Sequence, residues 1–486
     1  MKGLLFFVLF ILPYFTLQAQ VKLGSIFTDD MVLQAENEIK VWGKAKPLAS
    51  LTVSLGKSTT TVKAGQDGKW MAILPKMKYG GPYQLKVEGD GAITLNNVML
   101  GEVWFCAGQS NMRWFVRDSK NAKAEITNAD YPNIRFFVSP LKGTHEPQEE
   151  IENVKWEVCT PQSIPMKTAV GYFFGKELQK KLKGVAIGLI DISYGGASIT
   201  AFMDKETCEN SKQADFIKKY TGNFLNSYNE RKAKWDENPE GKPPYYPENV
   251  LTGMSYNYMV HPLVPFQVRG AIWYQGETNA WHPERYIDMF GEYITMMRTV
   301  FQNPEMPYYF VQLAGFRGRE GAKRDLGRWG NFRLAQEECL KFENTGMATA
   351  FDIGEEYDIH PKNKQEVGRR LSLLALKNTY GHKKVIDKGP TFKNFKFEDD
   401  KVILTFENIG KKLVVTEGEK ITGFLYKKGN EYESVEGKII GKNKVEIPYQ
   451  EGDLYYAYEN FFVPNLYNSA NLPATPFKIK INKPVK

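Results

Sequence analysis

The sequence predicts an α/β protein: a doubly wound, mostly parallel sheet flanked by N-terminal and C-terminal β-sandwich-like domains. Three observations carry that prediction. Between about 98 and 380, apolar runs of strand length alternate with helical patterns, the signature of βα units. Those runs are apolar throughout, as in strands covered on both faces. Before and after them, apolar and polar residues alternate in short runs broken by turn residues, as in sheets with one wet face. A chain of 486 residues that is 42% apolar has material for a large core and for several domains.

The first twenty residues, MKGLLFFVLFILPYFTLQAQ, stand apart. One lysine precedes an apolar run that closes on a small residue, Ala19. This is the pattern of a secretory signal peptide over residues 1–19, so a secreted or periplasmic protein is expected, free of the membrane after cleavage. The run is short for a span, which takes roughly 20 apolar residues. From 20 to 97, the runs IKVWGKA, SLTVSLG, STTTVKA, KWMAILP and YQLKVEG suit strands of a small sandwich, with turns at Asp67-Gly68 and Gly80-Gly81-Pro82. From 98 to 384 come VMLGEVWFCA, VAIGLIDI, VRGAIWYQ, YYFVQLA and MATAFDI, with helical patterns over 167–183, 284–301, 332–343 and 363–379. Residues 204–250 are polar and end in DENPEGKPPYYPEN; they read as an excursion, a helical flap and a Pro-rich loop. From 385 to 486 alternation returns in FKNFKFED, KVILTFEN, KLVVTEG, ITGFLYKK, KVEIPY, LYYAYEN and PFKIKI, a second β-domain.

Several function classes are disfavoured. A net charge of +8 from 64 basic and 56 acidic residues, with no basic block, gives no footprint for nucleic acid. Cys106, Cys159, Cys208 and Cys339 are far apart without CxxC spacing, so nothing demands a disulfide. There is no GxGxxG after the first strand, no P-loop and no HExxH. A cofactor and a catalytic metal are therefore not expected. The Gly-x-Ser-x-Gly elbow is absent too, since Asn111 is followed by Met112.

In an open α/β sheet, ligands bind beyond the carboxyl ends of the strands. The first end carries Gly108-Gln109-Ser110-Asn111, the second Ser193-Tyr194-Gly195-Gly196-Ala197-Ser198, the third Gln275-Gly276-Glu277-Thr278-Asn279. The fifth carries Gly354-Glu355-Glu356-Tyr357-Asp358-Ile359-His360-Pro361. A serine nucleophile needs a base within hydrogen-bond reach and a group that orients the base. Of the five histidines, His145 and His382 lie in polar, loop-like surroundings, and His261 and His282 flank the third strand. His360 follows a strand beside Asp358 and is the candidate base for Ser110. Gly195 or Gly196 can present a backbone N–H unobstructed by a Cβ, and Asn279 a side-chain amide, to a developing oxyanion. Gln109, Gln275 and Glu277 are the expected substrate contacts.

These blocks resemble the SGNH (GDSL-like) hydrolase superfamily, and more closely the sialate O-acetylesterase family of carbohydrate esterases. GEVWFCAGQSNM at 101–112 is similar to the serine block, ISYGGASITAFM at 192–203 to the Gly block, GAIWYQGETNA at 270–280 to the Asn block and DIHPKNKQEVGRRL at 358–371 to the His block. VWGKA and DGKW near the start and NLYNSANLPATPFKI at 465–479 extend the likeness over nearly all of the chain after the leader. The resemblance implies a flavodoxin-like sheet, Ser110 as nucleophile and His360 as base. It implies an oxyanion hole from Gly196 or Gly195, Asn279 and the Ser110 backbone N–H. The superfamily places an Asp three residues before the His, and here that position is Tyr357. The orienting group is then Asp358, Asp352, or a backbone carbonyl beside a Ser–His dyad. Asp358 has the advantage of direction, because residues two apart on an extended segment point the same way.

The implied activity is that of a serine O-acetylesterase removing acetyl groups from acetylated sugars through an acyl-enzyme, on sialates or on acetyl-xylan and other plant glycans. Its partner would be an acetylated glycan. A carbohydrate-binding protein on an esterase fold without activity is the rival class. Within GFRGREGAKRDLGRWGNFR at 315–333, Arg317, Arg319 and Arg328 are basic groups able to hold a sugar carboxylate, or simply a solvated loop.

Overall fold

The computed structural model describes residues 21–320 and 327–482. The expected signal peptide, residues 1–19, lies outside them. The central sheet runs β1 (Gly91–Gly108), β2 (Tyr131–Val138), β3 (Ile187–Asp191), β4 (Gly270–Tyr274), β5 (Tyr308–Val311) and β6 (Thr345–Ala348). Their spatial order is β2-β3-β1-β4-β5-β6, every pair parallel, with Trp156–Cys159 added antiparallel at the β2 edge. β2 was not foreseen. Pro132, Asn133 and Arg135 break its apolar run, and Arg135 is buried only because its guanidinium donates to the Asp30 and Asn97 carbonyls.

Alternate side chains of these strands enter two separate cores, which is why the runs are continuously apolar. Val103, Phe105, Ala271, Trp273, Tyr308 and Phe310 face one way, onto Met289, Phe290, Tyr293 and Met297 of α4 (Pro283–Val300). Trp104, Cys106, Ile272, Tyr274, Tyr309 and Val311 face the other, onto α2 (Ala169–Lys181) and α6 (Lys364–Leu374). α2 is started by Thr168, whose hydroxyl accepts from the Gly171 N–H at 3.2 Å. α6 is started in the same way by Asn363 over the Glu366 N–H at 3.3 Å. The excursion 204–250 holds a short helix and then the long α3 (Ala214–Glu237), in which Ile217 and Thr221 are the buried residues. α5 (Arg328–Glu338) starts earlier than the pattern 332–343 suggested, because Gly330 and Asn331 hide its first turn from a hydrophobic count. All four cysteines are buried free thiols.

The N-terminal strands are not set apart from the central sheet. Ile39–Lys44 and Lys69–Leu74 pair on one side, and Ser50–Leu55, Ser58–Lys63 and Gly80–Gly89 on the other. The last of these pairs with the first half of β1 itself. The division expected at 97/98 thus falls inside one strand, and Val41, Trp70, Leu51 and Val87 belong to the same core as Phe105 and Trp273. The C-terminal region differs. Its seven-stranded antiparallel sheet, from Thr391–Glu398 to Phe477–Ile481, has a core of its own built on Val402, Leu404, Phe424, Tyr456 and Phe477. It meets the central region where Phe351 stacks on Phe462 at 5.5 Å. The buried Arg333 also joins the two, donating to the Ala457 carbonyl at 3.0 Å and to the Glu459 carbonyl.

Candidate active site

β1 and β4 run side by side until both chains turn. Gly108, at φ +132°, makes that turn possible: a Cβ there would sit 2.2 Å from the Tyr274 carbonyl. The Gln109 N–H donates to the same carbonyl at 2.9 Å. The next residue, Ser110, opens the single-turn helix α1 (Ser110–Arg113), so its own N–H has no intrahelical partner. Ser110 Oγ lies 2.8 Å from His360 Nε2. The His360 ring is held by Trp114, stacked at 4.9 Å and 19°. Burial, together with the nearby Lys364 ammonium, holds the imidazole below its ordinary range, while Asp358 acts in the opposite sense. At neutral pH the ring is therefore unprotonated, with a lone pair for the serine proton.

The two expected acids occupy different positions. Asp352 is buried and forms a two-pronged pair with Arg370 at 2.6 Å, with Tyr467 Oη at 3.2 Å. Its carboxylate is taken up there, and it does not approach His360. Asp358 Oδ1 accepts the His360 backbone N–H at 2.9 Å and stands 3.7 Å from Nδ1. That separation is longer than a hydrogen bond. The carboxylate is beside the ring and half-exposed.

β3 ends in a buried carboxylate, Asp191, which accepts from the Ser193 N–H and hydroxyl at 2.9 and 2.5 Å and so bends the chain. The bend delivers Gly195 and Gly196. Gly196 has φ +69°, a left-handed conformation that favours glycine, and its Cβ would meet Asn249 Nδ2 at 3.0 Å. Asn249, from the excursion, donates to the Gly195 carbonyl at 2.9 Å and fixes the turn from outside. Thr278 Oγ1 donates to the Gly196 carbonyl at 3.0 Å. Asn279 is buried, and its Oδ1 accepts from Gln275 Nε2 at 2.6 Å and the Ile199 N–H at 3.2 Å. The amide is thereby oriented. Its Nδ2 makes a long contact, 3.4 Å to Ser198 Oγ.

Gln109, Gln275 and Glu277, expected to touch substrate, each turn one polar atom to a neighbouring loop. Gln109 Oε1 accepts the Gly276 and Thr278 N–H groups at 3.2 and 3.4 Å. Gln275, fully buried, holds Asn279 and donates to the Ala197 carbonyl at 3.1 Å. Glu277 Oε1 accepts from Asn111 Nδ2. All three therefore brace the strand ends against one another. A polar residue after a strand can face a ligand or the neighbouring turn, and sequence does not distinguish the two.

Two residues of this brace escaped the sequence reading. Asn111 Nδ2 also donates to the Ile359 carbonyl at 3.0 Å, and its Oδ1 accepts from Lys364 Nζ at 2.5 Å. Lys364 is fully buried at the first turn of α6, and burial pushes its ammonium down to about 7. A signal was present: a lysine directly after a helix cap sits at the positive end of the helix dipole, where cations are disfavoured. Of the basic loop, Arg317 pairs with Glu356, and the Arg328 guanidinium lies 4.1 Å over the exposed Trp281 ring. Arg319 is exposed. His261 Nδ1 contacts the Gln148 carbonyl and His282 packs on Phe216, both away from Ser110.

A serine within reach of an unprotonated histidine, beside a glycine turn and an oriented amide, is the equipment of a serine esterase. The comparisons narrow the class. The profile of the carbohydrate esterase family described as sialic acid-specific acetylesterase matches residues 100–377. The human sialate O-acetylesterase is 30% identical over 412 residues, covering 76% of this chain and 73% of that one. The mouse enzyme is 30% identical over 422 residues, covering 76% and 75%. A carbohydrate acetylesterase from Xanthomonas citri superimposes with a TM-score of 0.83 at 32% identity, over 95% of this chain and 99% of its own. The chain belongs to the sialic acid-specific acetylesterase family of carbohydrate esterases. It is a carbohydrate O-acetylesterase.

Proposed function

We propose that this protein hydrolyses acetyl esters on sugars with Ser110 as nucleophile and His360 as general base. The 2.8 Å contact between Ser110 Oγ and His360 Nε2 carries the reading. In the first half-reaction Nε2 takes the serine proton as Oγ attacks the acetyl carbonyl. The oxyanion forms against the N–H groups of Ser110 and of Gly196 or Gly195, and against Asn279 Nδ2. The imidazolium returns the proton to the departing sugar hydroxyl, leaving acetyl on Ser110. Water, deprotonated by the same Nε2, then releases acetate. Asp358 orients the imidazole once its carboxylate closes on Nδ1.

The sheet supports the site's location. Leaving aside the edge strands, β3-β1-β4-β5-β6 follows the flavodoxin-like order 2-1-3-4-5. We read it as doubly wound, with Ser110 beyond the point between β1 and β4 where the chain reverses direction across the sheet. O-acetylated sialic acids are the leading substrates, since the curated relatives are sialate O-acetylesterases. Release of acetate from acetylated mucin sialates, acetyl-xylan and acetylated pectin, compared side by side, tests the choice. Acetate from xylan alone would replace the sialate reading. Binding of glycan with no acetate release from any substrate would replace the enzyme with a lectin-like protein. The leader pattern at residues 1–19 supports secretion or periplasmic residence, and a mature chain starting at Gln20 by mass spectrometry is the expected check.

A further inference from the structure

Asn111 touches three of the four loops that the proposed reaction uses. It follows Ser110 in sequence, it donates to the carbonyl of Ile359 immediately before His360, and it donates to Glu277, two residues before Asn279. An asparagine amide can present either its oxygen or its nitrogen in a given direction. Lys364 removes the choice, because an ammonium only donates and so requires Oδ1 to face it. The lysine is fully buried and lies 5.3 Å from the centre of the Tyr274 ring and 5.7 Å from that of Trp114, which itself stacks on His360. Glu277 Oε2 and Tyr274 Oη are shut from solvent beside it, with no hydrogen-bond partner among the described residues.

We propose that Lys364 is a positioning residue: through Asn111 its buried ammonium locks the serine turn against the histidine loop, with its charge set against the Trp114 ring that stacks on His360.

The groups facing His360 come from several elements. Asp358 on its own loop favours the imidazolium, and Lys364 at the start of α6 opposes it. Glu277 beyond β4, with Asp358 and Glu355 on the histidine loop, acts on Lys364 and favours its charged form. Arg113 of α1 is directed elsewhere, 3.5 Å from Asp191. The sign is consistent: Lys364 carries its charge below about 7, the range in which an ordinary histidine takes up a proton. Burial at the positive end of a helix is unfavourable for any cation, and a lysine needed only for packing gains nothing from its charge there.

The catalytic meaning rests on His360 being the base, but the measurement does not. In full-length protein labelled at histidine Cε1, the chain gives five signals, and His360→Gln identifies one. In Lys364→Met the titration midpoint of that signal rises. The acid limb of kcat/KM on p-nitrophenyl acetate moves up with it, and kcat falls. Lys364→Gln keeps a donor for Asn111 without the charge, so its midpoint rises while more of kcat survives. Should Lys364→Met fail to fold, Lys364→Gln decides by itself. An unmoved midpoint in a folded variant overturns the proposal even where kcat drops, because a lysine that only supports structure lowers kcat without moving the titration. A moved midpoint in a protein whose turnover survives Ser110→Ala supports the proposal and removes the catalytic reading instead.

Discussion

Ser110 and His360 stand at the carboxyl edge of the sheet with their side chains partly open to solvent, whereas Asn111, Gln275 and Lys364 lie one residue or one turn away with theirs shut from it. Both groups come from the same strand ends, and neighbours in sequence do opposite things. A residue that exchanges protons with substrate and water must be reachable. One that holds geometry must be isolated, since a buried hydrogen bond persists only where water does not compete and is costly to leave unmade. The polarity of a strand end therefore marks a site, while exposure separates the Ser110–His360 pair that exchanges protons from the buried groups around it.

That contrast can be broken one residue at a time. Ser110→Ala should reduce kcat on p-nitrophenyl acetate by about 10^5–10^6-fold, the scale for loss of a serine nucleophile, with little change in melting temperature. Turnover near wild type would remove Ser110 from the reactive group. Asn279→Ala should cost about 10^2–10^3-fold in kcat with KM nearly unchanged, as loss of one oxyanion donor does. A purely higher KM would make Asn279 a substrate contact. Asp358→Ala should lower kcat by about 10–100-fold, since the carboxylate stands 3.7 Å from Nδ1 and orients the ring only after rotating. A loss as large as that of Ser110→Ala would show the carboxylate already bound in the working enzyme. Gln275→Leu should leave Asn279 Oδ1 with the Ile199 N–H alone and take the side-chain donor from the Ala197 carbonyl, lowering stability by about 1–3 kcal/mol by denaturant melts. Its kcat should fall less than in Asn279→Ala.

The pH profile sharpens the same contrast. His360 must be neutral to accept a proton, and its environment lowers its affinity for one. Activity should thus hold as pH falls past the ordinary histidine value of about 6.5 and decline only below it. A limb above that value would mean that Asp358, and not burial and Lys364, dominates the ring.

Much of this could be seen in the sequence, and what was hidden has physical reasons. Ser110, His360, Gly196 and Asn279 were singled out because they follow apolar runs, and the structure gathers those run ends at one edge. β2 was missed because its arginine has its N–H groups satisfied by carbonyls of residues 30 and 97, partners far away in the chain. The bracing contacts of Gln109, Gln275 and Glu277 were hidden because direction at a turn depends on φ and ψ, which polar composition does not reveal. Lys364 went unnoticed inside a recognised block because surface lysines are common and its partner, Asn111, lies 253 positions away.

The strand Gly91–Gly108 has a consequence for how this enzyme can be taken apart. Its first half pairs with the N-terminal hairpins and its second half delivers Ser110. A chimera that swaps the first hundred residues would cut the beam on which the nucleophile is mounted. The C-terminal sheet, with a separate core, offers a cleaner joint near residues 385–390. Modular exchange in this architecture is open at one end of the chain and closed at the other.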